Sequence, residues 1–328
     1  MANLLVTGGA GYIGSVVAAQ LLAAGHDVTI LDDLSRGHRG ALPQGAALRQ
    51  LDLRDGPLVH DALAEVGADA VLHFAALALV SESVEHPERY WRTNLCGTRN
   101  LLDAMRETGT RRLVFSSTCA VYGNPAAVPM DETTPTAPVN PYGATKLAVD
   151  GMIGDECGAH GLTAVSLRYF NVAGASGGLG EDHEPETHLI PNVLRAALGA
   201  QAAVRVFGTD YPTPDGTAVR DYIHVEDLAE AHVLALDPGQ EGVHHIFNLG
   251  TGSGYSVRDV IERAREVTGV DIAVREADRR PGDPPALVAA SDRIRAELGW
   301  APAKDLAAMI QDAWTWHEAH PDGYPAAG

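Results

Sequence analysis

LLVTGGAGYIG, residues 4–14, decides the fold, because a short apolar strand runs straight into glycines at the spacing G-x-x-G-x-x-G. Gly8, Gly11 and Gly14 allow a tight turn, close backbone approach to a pyrophosphate and packing of the next helix on the strand. The N-terminus of that helix adds free N–H groups and positive potential, so the turn suits an anion. Glycines in an alanine-rich chain also make plain turns, so the following strand has to be read with them.

That strand ends in Leu31-Asp32-Asp33, about 20 residues past the glycines, where a dinucleotide-binding unit places an acid on the adenosine ribose. A carboxylate there accepts from ribose hydroxyls and repels a 2′-phosphate, which favours NAD over NADP. The alternative is that Asp32 and Asp33 cap the loop that follows. Asp52 and Leu53, and then Phe74, Ala75 and Ala76, fall where adenine and pyrophosphate would pass in the same fold.

Farther out, apolar runs at Leu4–Val6, Val28–Leu31, Ala70–His73, Leu113–Ser116 and Thr163–Leu167 alternate with helical stretches. Those stretches lie around Gly14–Ala24, Pro57–Val66, Glu88–Glu107 and Tyr142–His160. Strands separated by helices need crossover connections, which predicts a Rossmann-type, doubly wound parallel α/β sheet over residues 1–172. The glycine-rich stretch from Gly174 to Gly180 marks a switch to a smaller substrate lobe, 173–328, of which about 221–249 is a candidate to return to the sheet. In that lobe the pattern predicts helices at Ile190–Leu198, Val225–Leu236, Val257–Thr268 and Leu306–His317, and strands at Val204–Phe207 and His245–Asn248.

At 328 residues and 45% hydrophobic composition the chain can bury one large core or two coupled ones. Its formal charge of −19 argues against nucleic acid or an anionic membrane as partner. No apolar run is long enough for a membrane span, and the N-terminus lacks the basic region of a signal peptide, so a cytoplasmic location is expected. Cys96, Cys119 and Cys157 form no C-x-x-C pair and read as small apolar residues in a reducing compartment. His183 and His188 invite a metal reading, but Pro185 lies between them and no acidic or cysteine ligand follows at a zinc-like spacing, so no metal is expected.

Tyr142-Gly143-Ala144-Thr145-Lys146 opens a helical stretch and places a phenol and an ammonium on one helix face. A free phenol titrates near ~10, so a neighbouring Lys⁺ and a cationic nicotinamide must stabilise the phenolate before it can take a proton from a sugar hydroxyl. An isolated Y-x-x-x-K is weak, but this one follows Phe115-Ser116-Ser117-Thr118, which ends a strand of the same sheet. A Thr118 hydroxyl there would lie in the crevice where doubly wound sheets bind ligands.

With these motifs the sequence resembles the extended short-chain dehydrogenase/reductase family and, within it, the UDP-glucose 4-epimerases, over nearly the whole chain. The anchors are TGGAGYIG (7–14), LDDLSRGH (31–38), VLHFAAL (71–77), FSSTCAVYG (115–123), NPYGATK (140–146), LRYFNVAGA (167–175), HLIPNVL (188–194), VFGTDYPTPDGTAVRDYIHVEDLA (206–229) and RRPGD (279–283). The resemblance implies Tyr142 as acid/base, Lys146 as its partner and Thr118 as the hydroxyl on the sugar O4. It implies an NAD site made of Gly8, Gly11, Tyr12, Ile13, Gly14, Asp32, Asp33, Leu34, Ser35, Arg36, Gly37, Asp52, Leu53, Phe74, Ala75, Ala76, Thr93, Ser116, Tyr142, Lys146, Tyr169 and Phe170. The UDP-sugar would contact Thr118, Tyr142, Asn171, His188, Leu189, Phe207, Arg220, Tyr222, Arg280, Asp283 and Leu287.

Arg220 and Arg280 suit a diphosphate because guanidinium groups are permanently charged bidentate donors. Their alternative is ion pairing with the flanking Asp221 and Asp283. Three positions depart from what many members carry: Ala78 in place of a frequent lysine, His188 in place of asparagine, and Leu287 where tyrosine or a smaller residue stands.

The implied reaction inverts C4 of UDP-glucose or UDP-galactose through a transient 4-keto sugar, with NAD tightly bound. Alternatives are an epimerase of another UDP-sugar, such as UDP-GlcNAc or a UDP-pentose, and a 4,6-dehydratase or decarboxylase. These last usually carry acids just after the catalytic hydroxyl, whereas Cys119-Ala120 follow Thr118 here. A non-catalytic NAD sensor is a further reading, set against the joint presence of Thr118, Tyr142 and Lys146. The resemblance also implies a homodimer built on the 88–107 and 142–160 helices.

Overall fold

In the main sheet most strands are apolar runs of four to seven residues, and most of the stretches between them cross over as helices. The computed structural model describes residues 1–280 and 282–325. Its first half contains β1 (Asn3–Thr7), α1 (Tyr12–Ala23), β2 (Asp27–Asp32), β3 (Ala47–Gln50), α2 (Gly56–Val66), β4 (Ala70–His73), α3 (Val80–Glu85), α4 (Pro87–Tyr90), α5 (Gly97–Thr108), β5 (Arg112–Ser116), α6 (Pro141–His160) and β6 (Thr163–Tyr169). The second half adds β7 (Asn171–Ala173), α7 (Leu189–Ala197), β8 (Val204–Phe207), β9 (Val219–His224), α8 (Val225–Leu234), β10 (His244–Leu249), β11 (Gly254–Ser256), α9 (Val257–Thr268), β12 (Val274–Ala277), β13 (Ala286–Leu287), α10 (Asp292–Leu298) and α11 (Leu306–Ala319).

The main sheet has seven parallel strands in the order β10-β6-β5-β4-β1-β2-β3. β1 lies between β2 and β4, so the winding reverses there and opens a crevice beyond the carboxyl ends of the strands. Both faces are covered, as continuous apolar strands require. One face packs Val16, Val17 and Leu21 of α1 with Leu228 and Ala231 of α8; the other packs Leu63 of α2, Leu101 of α5 and Ile153 of α6.

Helix ends are set by local chemistry. Asn140 caps α6 by accepting from Gly143 N at 2.8 Å, Pro141 occupies the first turn, and Gly161 ends the helix at a left-handed φ of 67°. Tyr142 and Lys146 are therefore fixed in the first turns of α6. The Glu88–Glu107 stretch, read as one helix from sequence, is instead divided into α4, a π-helical turn at Trp91–Cys96, and α5. The wider turn carries Asn94, whose side chain accepts from Leu77 N at 2.8 Å and donates to Leu77 O at 3.0 Å and to Thr145 Oγ at 3.1 Å.

A second set of elements stands beside the crevice. β9 is the hub of a small sheet in which β11, β13 and β7 all pair with it, and β8 pairs with β12. α7, α9 and α11 pack there through Val193, Leu194, Val260, Met309 and Ile310. Among the described residues no helix is long and apolar enough to cross a membrane.

Candidate active site

The glycine turn is crowded enough to need its glycines. A Cβ on Gly8, whose φ is +71°, would lie 2.5 Å from Ala75 N, and one on Gly14 would lie 2.3 Å from Gly8 O. The first contact brings the turn against Phe74-Ala75-Ala76 at the end of β4, where Phe74 N and Ala75 N both donate to Thr7 O. Gly11 precedes α1 and leaves more room, with its nearest contact to Gly8 O at 3.4 Å. Tyr12 and Ile13 open α1, and the Tyr12 hydroxyl donates to Gly174 O at 2.6 Å, tying the turn to the glycine-rich switch segment.

Asp32 ends β2 nearly buried, accepting from Ala10 N at 3.0 Å and Leu34 N at 2.8 Å. Burial outweighs these bonds and raises its pKa above the usual carboxylate range. Asp33 accepts from Ser35 N at 2.8 Å, so both acids do cap the loop, and Asp32 also braces the glycine turn. Leu34 sits at φ 59°, a conformation a side chain rarely adopts, while a Cβ on Gly37 would lie 2.9 Å from Asp32 Oδ1. Asp52 is paired with Arg54, which holds its carboxyl below the ordinary range, and Leu53 is buried in the core. Thr93 lies half-buried on the π-helical turn.

At the end of β5, Thr118 is nearly buried in extended conformation and accepts from Ala120 N at 3.2 Å. Tyr142 is partly open to solvent; its neighbours nonetheless raise the phenol pKa, chiefly by desolvation, while the Thr118 hydroxyl beside it works the other way. The Tyr90 ring meets it edge-on at 6.5 Å. Lys146 is buried with its ammonium 4.7 Å from the Phe115 ring centre, and burial lowers it to about 8 against the opposing pull of Asp150. Ser116 Oγ is hydrogen-bonded to the Tyr169 hydroxyl, and Phe170 packs with Val121, Tyr122, Met130 and Ala289. Cys119 lies beside Thr118 with its thiol pushed up to about 12 by burial, which keeps it neutral.

β9 organises the opposite wall. In its register Arg220 stands beside Leu287 and Tyr222 beside Asn171, and alternation puts Arg220 and Tyr222 on the same face. Arg220 is mostly buried and ion-paired with Asp283, while the Arg280 guanidinium lies 4.2 Å from the Phe207 ring centre. Asp221, read as a potential partner of Arg220, points the other way. It accepts from Thr251 N and Oγ, Gly252 N and Ala289 N, fixing the segment that carries Leu287.

His188, just ahead of Leu189 and α7, faces Glu181 and Glu186, as does His183, so acidic neighbours that the zinc-like spacing rule overlooked are present.

A sequence-family model described as the NAD dependent epimerase/dehydratase family matches residues 4–250. The chain belongs to this family. It is 55% identical to a UDP-glucose 4-epimerase of Corynebacterium glutamicum over 99% of this chain and 98% of that protein. It is 54% identical to a UDP-glucose 4-epimerase of Streptomyces lividans, again over 99% and 98%. The crystal structure of the Bifidobacterium longum UDP-glucose 4-epimerase in complex with NAD⁺ and UDP superposes with a TM-score of 0.94 at 38% identity, covering 98% and 99% of the two chains. As a member of the epimerase/dehydratase family the chain is an NAD-dependent enzyme, and the crowded glycine turn with an acid at the end of β2 fits that cofactor.

Sequence reasoning missed several supports of this epimerase/dehydratase site. His73 bonds Thr7 Oγ at 2.6 Å and Thr98 Oγ at 2.8 Å beneath the cofactor turn. Asp150, one turn after Lys146, receives two bonds from Arg168, which also donates to the Tyr122 hydroxyl. The spacing of Asp150 four residues after Lys146, on one face of α6, was the available signal.

Proposed function

We propose that this enzyme interconverts UDP-glucose and UDP-galactose by inverting C4. The observation that supports the reading is that Cys119, next to Thr118, and Leu287, beside Arg220, pack against one cluster, which draws two sets of residues together. Thr118, Tyr142 and Lys146 stand at the ends of β5 and α6, and Arg220, Tyr222, Asn171 and Leu287 are gathered by β9.

In this reading Tyr142 takes the proton of the sugar O4 and later returns it, and Thr118 holds O4 by hydrogen bonding. Lys146 supplies positive charge at the base of the site and a donor for the nicotinamide ribose. NAD, when bound, would supply a reversible acceptor for the hydrogen of C4 and its electron pair. Gly8, Gly11, Tyr12, Ile13 and Gly14 would cradle its pyrophosphate, and Asp32 with residues 33–37 its adenosine ribose. Asp52, Leu53, Phe74, Ala75, Ala76, Thr93, Ser116, Tyr169 and Phe170 would complete that site.

Arg220 and Arg280 grip the diphosphate, with Phe207, Asp283, His188 and Leu189 around the nucleotide. Anchored there, the 4-keto sugar turns about its link to the diphosphate and presents its other face. No carboxylate adjoins Thr118, which favours oxidation and return over elimination. We further propose a cytoplasmic homodimer, its interface formed by the exposed side of the 87–108 segment, with Trp91 and Cys96, together with α6. Incubation with UDP-glucose, UDP-GlcNAc and UDP-xylose followed by product separation tests the reaction; absence of UDP-galactose from UDP-glucose refutes it. Sedimentation tests the dimer, and a monomer at working concentration refutes that part.

A further inference from the structure

The segment ahead of α7 reads Glu181-Asp182-His183-Glu184-Pro185-Glu186-Thr187-His188 and folds so that four side chains converge. Glu181, His183, Glu186 and His188 each offer one ligand-type atom, and these four atoms lie within 4.8 Å of one another. His188 Nδ1 is 2.8 Å from Glu181 Oε1 and 3.0 Å from Glu186 Oε1. His183 Nδ1 is 3.1 Å from Glu181 Oε1 and 3.8 Å from Glu186 Oε2. Bonds of ~2.0–2.2 Å in a tetrahedron separate ligand atoms by about 3.3–3.6 Å, so small rotations bring all four into a zinc sphere.

Burial strengthens the case. The side chains of Glu181 and Glu186 are 6% and 3% exposed, and among the described residues their ion-pair partners are the two histidines alone. Two carboxylates withdrawn from water need two positive charges nearby, which either the two histidines as imidazolium or one divalent cation held with neutral imidazoles supplies. The histidine side chains are 31% and 42% exposed, which leaves a path from solvent. Two imidazole nitrogens and two carboxylate oxygens in a four-donor set suit Zn²⁺. Ca²⁺ and Mg²⁺ take six or more ligands, mainly oxygen, and Cu(I) prefers sulfur.

We propose that Glu181, His183, Glu186 and His188 form a closed, structural Zn²⁺ site. Its place in the fold gives it a task. Arg36 of the loop after β2 donates to Glu184 O, and the His38 ring bonds Asp182 O at 3.0 Å. On the other side, Asn192 of α7 donates to His188 O at 2.8 Å. The ion would brace the seam between the loop after β2 and the start of α7, and through His188 would hold one of the residues proposed to lie around the nucleotide.

The test uses untagged enzyme with NAD bound, treated with EDTA and then titrated with Zn²⁺ by calorimetry, and with Co²⁺ as a spectroscopic probe. The expected result is one equivalent per chain, visible cobalt absorption of the strength that marks four-coordination, and a thermal midpoint that rises with Zn²⁺. His183→Gln and Glu181→Gln should each lose the stoichiometric equivalent and the cobalt band while keeping NAD and the far-ultraviolet circular dichroism of the fold. Wild-type enzyme that binds no equivalent, or gives only the weak band of six-coordinate cobalt, overturns the proposal even where a variant fails to fold. So does stoichiometric binding that survives in both variants.

Discussion

Lys146 donates from Nζ to the carbonyl oxygen of Ser116 at 2.8 Å, which fastens the first turns of α6 to the end of β5. Thr118 lies two residues past that carbonyl and Tyr142 one turn before the lysine, so this buried hydrogen bond, together with the close packing of Gly143 on Ala120, holds hydroxyl and phenol in one place. Positioning to this tolerance is what general acid–base catalysis requires.

Tyr142→Phe therefore removes the proton carrier and leaves the packing in place. Turnover of UDP-glucose should fall on the order of 10²–10⁴-fold, with NAD still bound after purification. Steady-state rates and the absorbance of released cofactor check this; near wild-type turnover refutes the role.

Asp32 bonds two backbone amides, from Ala10 and Leu34, and still presents its carboxylate at the end of β2. Asp32→Ala should weaken NAD retention by the worth of a charge-assisted hydrogen bond, about 1.5–3 kcal/mol. Loss of the Ala10 bond should add to that by loosening the glycine turn. If cofactor content after gel filtration is unchanged, the ribose contact belongs to Asp33 or to neither.

His73 supplies a prediction in pH. Burial, with a smaller contribution from Lys146, lowers its pKa to about 3, and it bonds the hydroxyls of Thr7 and Thr98 as a neutral ring. In the unfolded chain it titrates near ~6.5, so between the two values the unfolded state binds more protons and stability falls as the pH drops. The loss from this residue is full below about 3 and absent above about 6.5, with a slope of up to ~1.4 kcal/mol per pH unit between. In denaturant titrations from pH 7 to pH 4, His73→Gln should lose less stability than wild type. Parallel losses in the two proteins would remove His73 from the account.

The parts of this structure that follow from spacing were legible in the sequence. The glycines and the Tyr142–Lys146 pair are set by spacings of a few residues and Asp32 by its place at the end of the next strand, while most strands of the main sheet read as apolar runs. What escaped depended on contacts across the fold. β7, β11 and β13 are two or three residues long, too short for alternation to show, yet all pair with β9, and β7 and β13 deliver Asn171 and Leu287 to it. The π-helical turn at Trp91–Cys96 keeps a helical composition, and its interruption follows from the bonds Asn94 makes to Leu77. Glu181 and Glu186 carry no spacing signal in the sequence, and it is the fold that sets their side chains against two histidines.

Leu287 carries the prediction about substrate size. It stands beside Arg220 in the β9–β13 register and packs at the edge of the cluster made by Val121, Tyr122, Met130, Phe170 and Ala289. Cys119, the neighbour of Thr118, packs against the same cluster, which places Leu287 near the hydroxyl proposed to hold the sugar O4. Asp221 fixes the backbone next to it through Ala289 N at 3.1 Å, so the wall is not free to retreat. An N-acetyl group needs more room than a hydroxyl, and pressing it against a packed apolar wall costs ~1–3 kcal/mol. UDP-glucose and UDP-galactose should therefore be preferred over UDP-GlcNAc, with some N-acetyl activity left because leucine can change rotamer. Leu287→Ser should raise the ratio of UDP-GlcNAc to UDP-glucose in kcat/KM, and Leu287→Tyr should lower it. Both shifts are expected within about 5–150-fold, the range that such a packing cost allows. If neither variant moves the ratio, the sugar does not lie against β13 and the placement of the hexose has to be redrawn.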